Sequence, residues 1–163
     1  MCDDWKGSRM ASEDSARIFV PPPLIYLTGL LVGLALDGRL KLDIPSAPLW
    51  ERLAALLLAF AGVSVVVAGL RRFRSSETAP EPWKPSSALV NGGIYRFTRN
   101  PMYLGFTLFY AALALLFRSP AAGVILIAIL AIMNFIIARE EAYLQRRFGP
   151  AYQDYKARVR RWI

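Results

Sequence analysis

Four long stretches with almost no charge constrain the fold of this 163-residue chain more than any other feature. They cover Leu24–Leu36, Leu53–Leu70, Pro101–Phe117 and Ala121–Ala138. A helix that crosses a bilayer needs about 20 apolar residues, with about 17 as the lower limit. The last three stretches meet this limit, and the first reaches it when it is extended back to Ile18. Because such uniform stretches leave no polar face for a soluble bundle, we predict an all-α integral membrane bundle of about four transmembrane helices.

The connection between the third and fourth stretches is only Arg118-Ser119-Pro120. A connection this short predicts an antiparallel helical hairpin, and proline is well tolerated at the first position of the second helix. The start of the third span and the end of the fourth should therefore lie side by side at one membrane face.

The basic residues predict the orientation of the bundle. Sixteen of the 20 Lys and Arg residues lie before the first span, between the second and third, or after the fourth. Cytoplasmic segments are the ones enriched in Lys and Arg, so both termini should be cytoplasmic. We expect a single domain: a cytoplasmic tail over residues 1–17, two spans over 18–70, and a loop, hairpin and C-terminal helix over 71–163. The net charge of +8 then suits a membrane surface better than a nucleic acid.

The composition excludes several kinds of chemistry. The chain has no histidine, which rules out histidine-ligated zinc and catalytic triads that use imidazole as the base. Its single cysteine, Cys2, rules out an intramolecular disulfide and a cysteine-based metal cluster. No metal site is expected.

The loop over residues 71–100 is long enough to be functional, and its last part is rich in aromatic and aliphatic residues. Asn100-Pro101 is a strong helix-start signal, and the free N–H groups of such a start favour a carboxylate or a phosphate. Gly92-Gly93 permits a tight turn that brings backbone close to a ligand. The alternative is a plainly capped membrane helix with interfacial aromatic residues, among them Tyr95 and Tyr103.

Arg139-Glu140-Glu141 is predicted to close the fourth span. A carboxylate there would face the negative end of the helix dipole, and neither acid has a basic residue three or four positions away. This pattern indicates a partner from elsewhere, either Arg96 or Arg99 across the hairpin or a cationic ligand. Simple solvation at the interface is the alternative.

The C-terminal segment carries an apolar stripe made by Tyr152, Tyr155, Val159 and Trp162, with basic residues around it. The spacing predicts an amphipathic interfacial helix on an anionic leaflet. A helix that packs on the protein's own surface would produce the same pattern.

These segments together resemble a known family. The run from Leu89 to Gly105, which contains Asn91-Gly92-Gly93-Ile94-Tyr95 and Arg99-Asn100-Pro101-Met102-Tyr103, is followed by Glu140-Glu141 and then by Phe148-Gly149. The pattern resembles the isoprenylcysteine carboxyl methyltransferase family, and phospholipid N-methyltransferases share much of it. The similarity covers roughly Pro80 to the C-terminus.

The resemblance implies a membrane methyltransferase that uses S-adenosyl-L-methionine and acts on a lipophilic or prenylated acceptor, with membrane lipids around it. Glu140 would pair with the cofactor's ammonium group. The implied cofactor-binding residues are Leu89, Val90, Gly93, Tyr95, Asn100, Pro101, Met102, Tyr103 and Glu140, and the implied catalytic residues are Arg139 and Glu140.

Two positions depart from the family pattern. Asn100 stands where many members have histidine. Ile136 stands where the prenylcysteine enzymes have a substrate-binding arginine, and Arg139 is the residue expected to substitute for it. Two other functions remain open: an NADPH-dependent reductase of the steroid-reductase type, with Arg96, Arg99, Arg146 and Arg147 near the phosphates, and a non-enzymatic membrane scaffold.

Overall fold

The computed structural model describes residues 21–40, 48–75 and 89–163, and in these ranges the regular structure is entirely helical. The predicted tail over residues 1–17 and the proline-rich part of the middle loop lie outside the described residues. The elements are α1 (Pro22–Leu40), α2 (Leu49–Ser75), a 3-10 turn (Gly93–Arg96), α3 (Pro101–Leu116), α4 (Pro120–Phe148) and α5 (Pro150–Arg158).

The predicted membrane bundle is confirmed. Helices α1, α2 and α4 are long and apolar enough to cross a bilayer, and α3 is a shorter apolar helix of 16 residues. The first stretch is a helix of 19 residues that begins inside the triple proline. Large apolar side chains cover the outside of the bundle, among them Leu57, Phe60 and Ile127. In a membrane protein such a surface faces lipid.

Small residues allow the helices to approach closely. Gly62 of α2 lies against Gly105 of α3, and a Cβ added at Gly62 would stand 2.8 Å from the Gly105 carbonyl oxygen. Gly33 of α1 meets Ala122 of α4 in the same way. Small residues at contacts of this kind hold membrane helices together by close backbone packing.

The α3–α4 turn forms the predicted antiparallel hairpin and is held by polar contacts. Arg118, which has a φ of 51°, pairs with Glu51 of α2 at 2.5 Å. Ser119 caps α4 by accepting the Ala122 N–H, and its hydroxyl also bonds to Asp37 of α1. A largely apolar cavity of 510 Å³ lies beside this turn, at the opposite end of the hairpin from Glu140.

Two predicted helix ends are wrong. Helix α2 continues through Arg71 and Arg72 to Ser75, where the sequence suggested loop. Helix α4 continues to Phe148, so Glu140 and Glu141 lie within the helix and the helix-dipole argument for their unfavourable position does not apply. In both cases an apolar helix continues into a charged segment, because Arg, Glu and Gln are good helix formers.

The C-terminal segment packs on the protein itself. Tyr152 and Tyr155 of α5 are buried against Val90 and Tyr95. The helix ends at Arg158, so the predicted stripe is not continuous: Val159 joins this cluster, while Trp162 packs on the main core. We call residues 159–163 the C-terminal strap.

Candidate active site

Tyr103 and Glu140 meet at the open end of the hairpin. The Tyr103 hydroxyl donates a hydrogen bond to Glu140 Oε1 at 2.6 Å. Tyr103 stands in the first turn of α3 and Glu140 near the end of α4, so the contact brings together the two segments that the short turn predicts to be neighbours. The side chain of Tyr103 is buried, whereas that of Glu140 is partly exposed.

The first turn of α3 has backbone donors that its own N-cap residue does not use. Asn100 occupies the N-cap position but makes no side-chain hydrogen bond to the helix. Pro101 has no N–H, and the first intrahelical bond runs from Leu104 to the Asn100 carbonyl. The N–H groups of Met102 and Tyr103 therefore have no intrahelical acceptor, which makes this turn suited to an anion.

Tyr95 lies on the other side of this turn. A Cβ added at Gly69 of α2 would stand 3.1 Å from Met102 Cγ and 3.7 Å from the Tyr95 hydroxyl oxygen, so these groups share one region. Burial, together with the negative charge of Glu140, raises the pKa of Tyr95 and keeps its hydroxyl protonated. The Tyr95 carbonyl accepts a hydrogen bond from the Tyr155 hydroxyl at 2.8 Å, which fixes the loop to α5.

The tyrosine hydroxyls of α5 that face the loop are also protonated, and apolar side chains surround them. Burial raises the pKa of Tyr152 to about 12 and raises that of Tyr155. Leu89 and Val90 pack in this cluster. Both residues pack next to Tyr95.

The glycine turn predicted to approach a ligand lies against Arg72. Gly93 has a φ of 60°, a left-handed conformation that favours glycine. Arg72, at the end of α2, covers this turn: a Cβ added at Gly92 would stand 2.5 Å from Arg72 Nη2. Arg72 was not predicted at this turn, because the sequence suggested that it belongs to the loop and not to the end of α2.

Glu141 has contacts quite unlike those of Glu140. Its side chain is 7% exposed and pairs with Arg99 Nη2 at 3.0 Å and with Arg161 Nη2 at 2.7 Å. Lys156 lies 4.0 Å away. The hydrogen bond to Glu141 raises the pKa of Arg161, with desolvation acting in the opposite direction. The predicted partner across the hairpin is thus Arg99, and it belongs to Glu141.

Arg139 lies apart from these groups. Its guanidinium carbon is 5.5 Å from the centre of the Phe135 ring, on the exposed side of α4. The structure therefore brings Tyr95, Met102, Tyr103 and Glu140 together, with Asn100 and Pro101 at the same helix start, and leaves Arg139 outside.

The geometry defines a helical membrane protein with a polar, partly buried cluster of side chains at one end of an antiparallel hairpin. The family model of phospholipid methyltransferases matches residues 50–151, which is more than half of the chain. The chain belongs to the phospholipid methyltransferase family, and it is a membrane methyltransferase by that membership.

A bacterial protein is similar to part of the chain. The chain is 44% identical over 63 residues to an uncharacterized protein of Haemophilus influenzae. That match covers 38% of this chain and all of the relative. No solved structure gives a significant match.

Proposed function

We propose that this protein transfers a methyl group from S-adenosyl-L-methionine to a lipid acceptor, at the membrane face where α3 begins. The observation that carries the proposal is the Tyr103–Glu140 contact. This contact places a carboxylate next to a helix start whose first N–H groups have no intrahelical acceptor. These are the two groups that an amino acid zwitterion requires. The chain belongs to a methyltransferase family.

The residues fit the methionyl part of such a cofactor. Glu140 accepts its hydrogen bond from a neutral hydroxyl, whereas the ion pairs next to it belong to Glu141. The Glu140 carboxylate is suited to an ammonium group, and the N–H groups of Met102 and Tyr103 to a carboxylate. Tyr95, with Leu89 and Val90 packed in the same cluster, is the aromatic and apolar region that we assign to adenine.

The chain's own residues would act by position and by exclusion of water. The bound cofactor supplies a sulfonium methyl group. Alignment of two reactants can supply several kcal/mol of a reaction barrier, and a dry site removes water from the nucleophile. The buried tyrosines and the packed loop provide such a site, and a chain without histidine suffices for this chemistry.

A phospholipid-like acceptor suits this chain better than a prenylcysteine. Ile136 packs partly buried against the core that contains Tyr103, at the position where a prenylcysteine enzyme has its arginine. Arg139 points to Phe135 on the outside of α4 and so does not replace that arginine at the site. The apolar outer surface of the helices gives a lipid a lateral approach.

Binding of S-adenosylhomocysteine tests the proposal directly. Isothermal titration of the purified protein should show saturable binding below ~1 mM. Glu140→Gln should weaken it about ten-fold or more, because a hydrogen bond to a charged group is lost. Glu51→Gln is the matched control, since the same change removes a carboxylate that pairs with Arg118 at the opposite end of the bundle and should leave the affinity unchanged.

Absence of binding to the wild-type protein at that concentration would contradict the cofactor assignment. Stabilisation by NADPH, without any by S-adenosylhomocysteine, would favour the reductase instead. Equal affinities of the wild-type protein and Glu140→Gln would remove Glu140 from the site.

A further inference from the structure

The C-terminal strap is tied to the segment that precedes α3 by three backbone-directed hydrogen bonds. The Arg99 N–H donates to the Arg160 carbonyl at 3.0 Å. The Arg161 carbonyl accepts from the Thr98 hydroxyl at 3.2 Å and from Asn100 Nδ2 at 3.0 Å. The strap thus lies along the segment that starts α3.

Two side chains hold the strap in this register. The Arg161 guanidinium makes a two-pronged contact with Glu141, with Nε at 3.2 Å from Oε1 and Nη2 at 2.7 Å from Oε2. The Trp162 indole donates to Asn134 Oδ1 at 3.1 Å. Since Glu141 also pairs with Arg99, one buried carboxylate fixes both sides of the strap contact.

The Asn100 side chain is bonded to the strap and not to its own helix. Asparagine is among the best N-cap residues, because its side-chain oxygen accepts an N–H of the first turn. Here the Asn100 amide is directed to Arg161 and makes no capping hydrogen bond. The N–H groups in the first turn of α3 therefore have no capping acceptor, although the N-cap residue could provide one for one of them.

We propose that the C-terminal strap is a positioning device that holds Asn100 off the start of α3 and so reserves the N–H groups of Met102 and Tyr103 for the carboxylate of the cofactor. This inference rests on the proposed function. Asn100 and Arg161 are positioning residues: they act through the helix start and need not touch the cofactor. Without the strap, the Asn100 side chain caps α3 and competes with the ligand.

A matched pair of substitutions in the full chain separates this role from a structural one. Asn100→Ser introduces a good N-cap residue whose side chain is too short to reach the Arg161 carbonyl. Asn100→Ala introduces a residue that cannot cap the helix. S-adenosylhomocysteine should bind Asn100→Ser about five-fold more weakly than Asn100→Ala, the factor that corresponds to one N-cap hydrogen bond. The unliganded Asn100→Ser protein should nevertheless melt at the same temperature as Asn100→Ala or higher.

Removal of residues 160–163 gives the second arm of the test. The shortened chain should bind S-adenosylhomocysteine more weakly than the full chain, and Asn100→Ala in the shortened chain should restore part of the affinity. A purely structural strap predicts no such rescue.

The outcomes distinguish this inference from the proposed function. If the wild-type protein binds and Asn100→Ser binds as tightly as Asn100→Ala, or the rescue fails, the strap inference is wrong and the cofactor assignment stands. If the wild-type protein does not bind, both are wrong. Should the shortened chain not fold, the Ser and Ala pair alone decides.

Discussion

Two adjacent glutamates in the last third of α4 make different contacts. Glu140 accepts a hydrogen bond from Tyr103, and Glu141 is enclosed by Arg99, Arg161 and Lys156. Successive residues on a helix point about 100° apart, so Glu140 faces Tyr103 and Glu141 faces the strap. Neither acid has a basic residue three or four positions away on α4, which made the two equally conspicuous in the sequence.

Neutralisation of the two acids should affect stability and cofactor affinity to different degrees. Glu141→Gln should lower the free energy of unfolding by about 3 kcal/mol, because it leaves the buried Arg99 without its partner. Glu140→Gln should cost less stability and should lower cofactor affinity more. Thermal or denaturant unfolding in detergent, measured beside titration of S-adenosylhomocysteine, checks both quantities. A larger stability loss for Glu140→Gln would contradict this division.

The sequence predicted the meeting of Tyr103 and Glu140, because a three-residue turn leaves the two helix ends no other arrangement. It did not predict which acid pairs with Arg99. That choice depends on the rotation of α4 about its axis and on Arg161, which reaches Glu141 only once the strap has folded back. A prediction from spacing on a single helix contains neither quantity.

At the scale of the elements, α2 and α3 are held in backbone contact by Gly62 and Gly105. This pairing sets the position of the α3 start, since Gly69 further along α2 lies against Met102. Neither glycine was singled out from the sequence. A glycine in an apolar helix signals a close contact only when the facing helix is known.

Gly62→Ala should destabilise the protein by about 1–3 kcal/mol, because the added Cβ meets the backbone of α3 and the helices must separate. Gly123→Ala is the control, as a Cβ there meets nothing within 4 Å and replaces glycine by a better helix former. Unfolding of both variants in the same detergent gives the comparison. Equal stabilities would show that the close approach does not matter.

At the scale of the whole molecule, charged and polar groups lie at the two ends of the bundle. The α3–α4 turn, with Asp37, Glu51 and Arg118, marks one end, and the site with α5 marks the other. The sequence predicted the number and order of the helices well, because apolar length reports directly on membrane spans. It was less accurate at helix ends, where charged residues extend a helix beyond its apolar part.

We expect the end that contains the site to face the cytoplasm, by the distribution of Lys and Arg. In a Cys2→Ser background, an impermeant maleimide should label Gly38→Cys in intact cells, because this exposed position adjoins the turn end. Gln153→Cys, exposed on α5, should react only after the membrane is opened. The reverse pattern would invert the orientation.

The length of α4 has a consequence for the proposed reaction. Glu140 stands 20 residues after Pro120, a rise of about 30 Å, which equals the thickness of the hydrocarbon layer. The carboxylate therefore sits at headgroup depth when the turn lies at the opposite boundary. An acceptor lipid could then react with its tails still in the leaflet, and turnover would follow its mole fraction in the membrane, not its amount in the surrounding water.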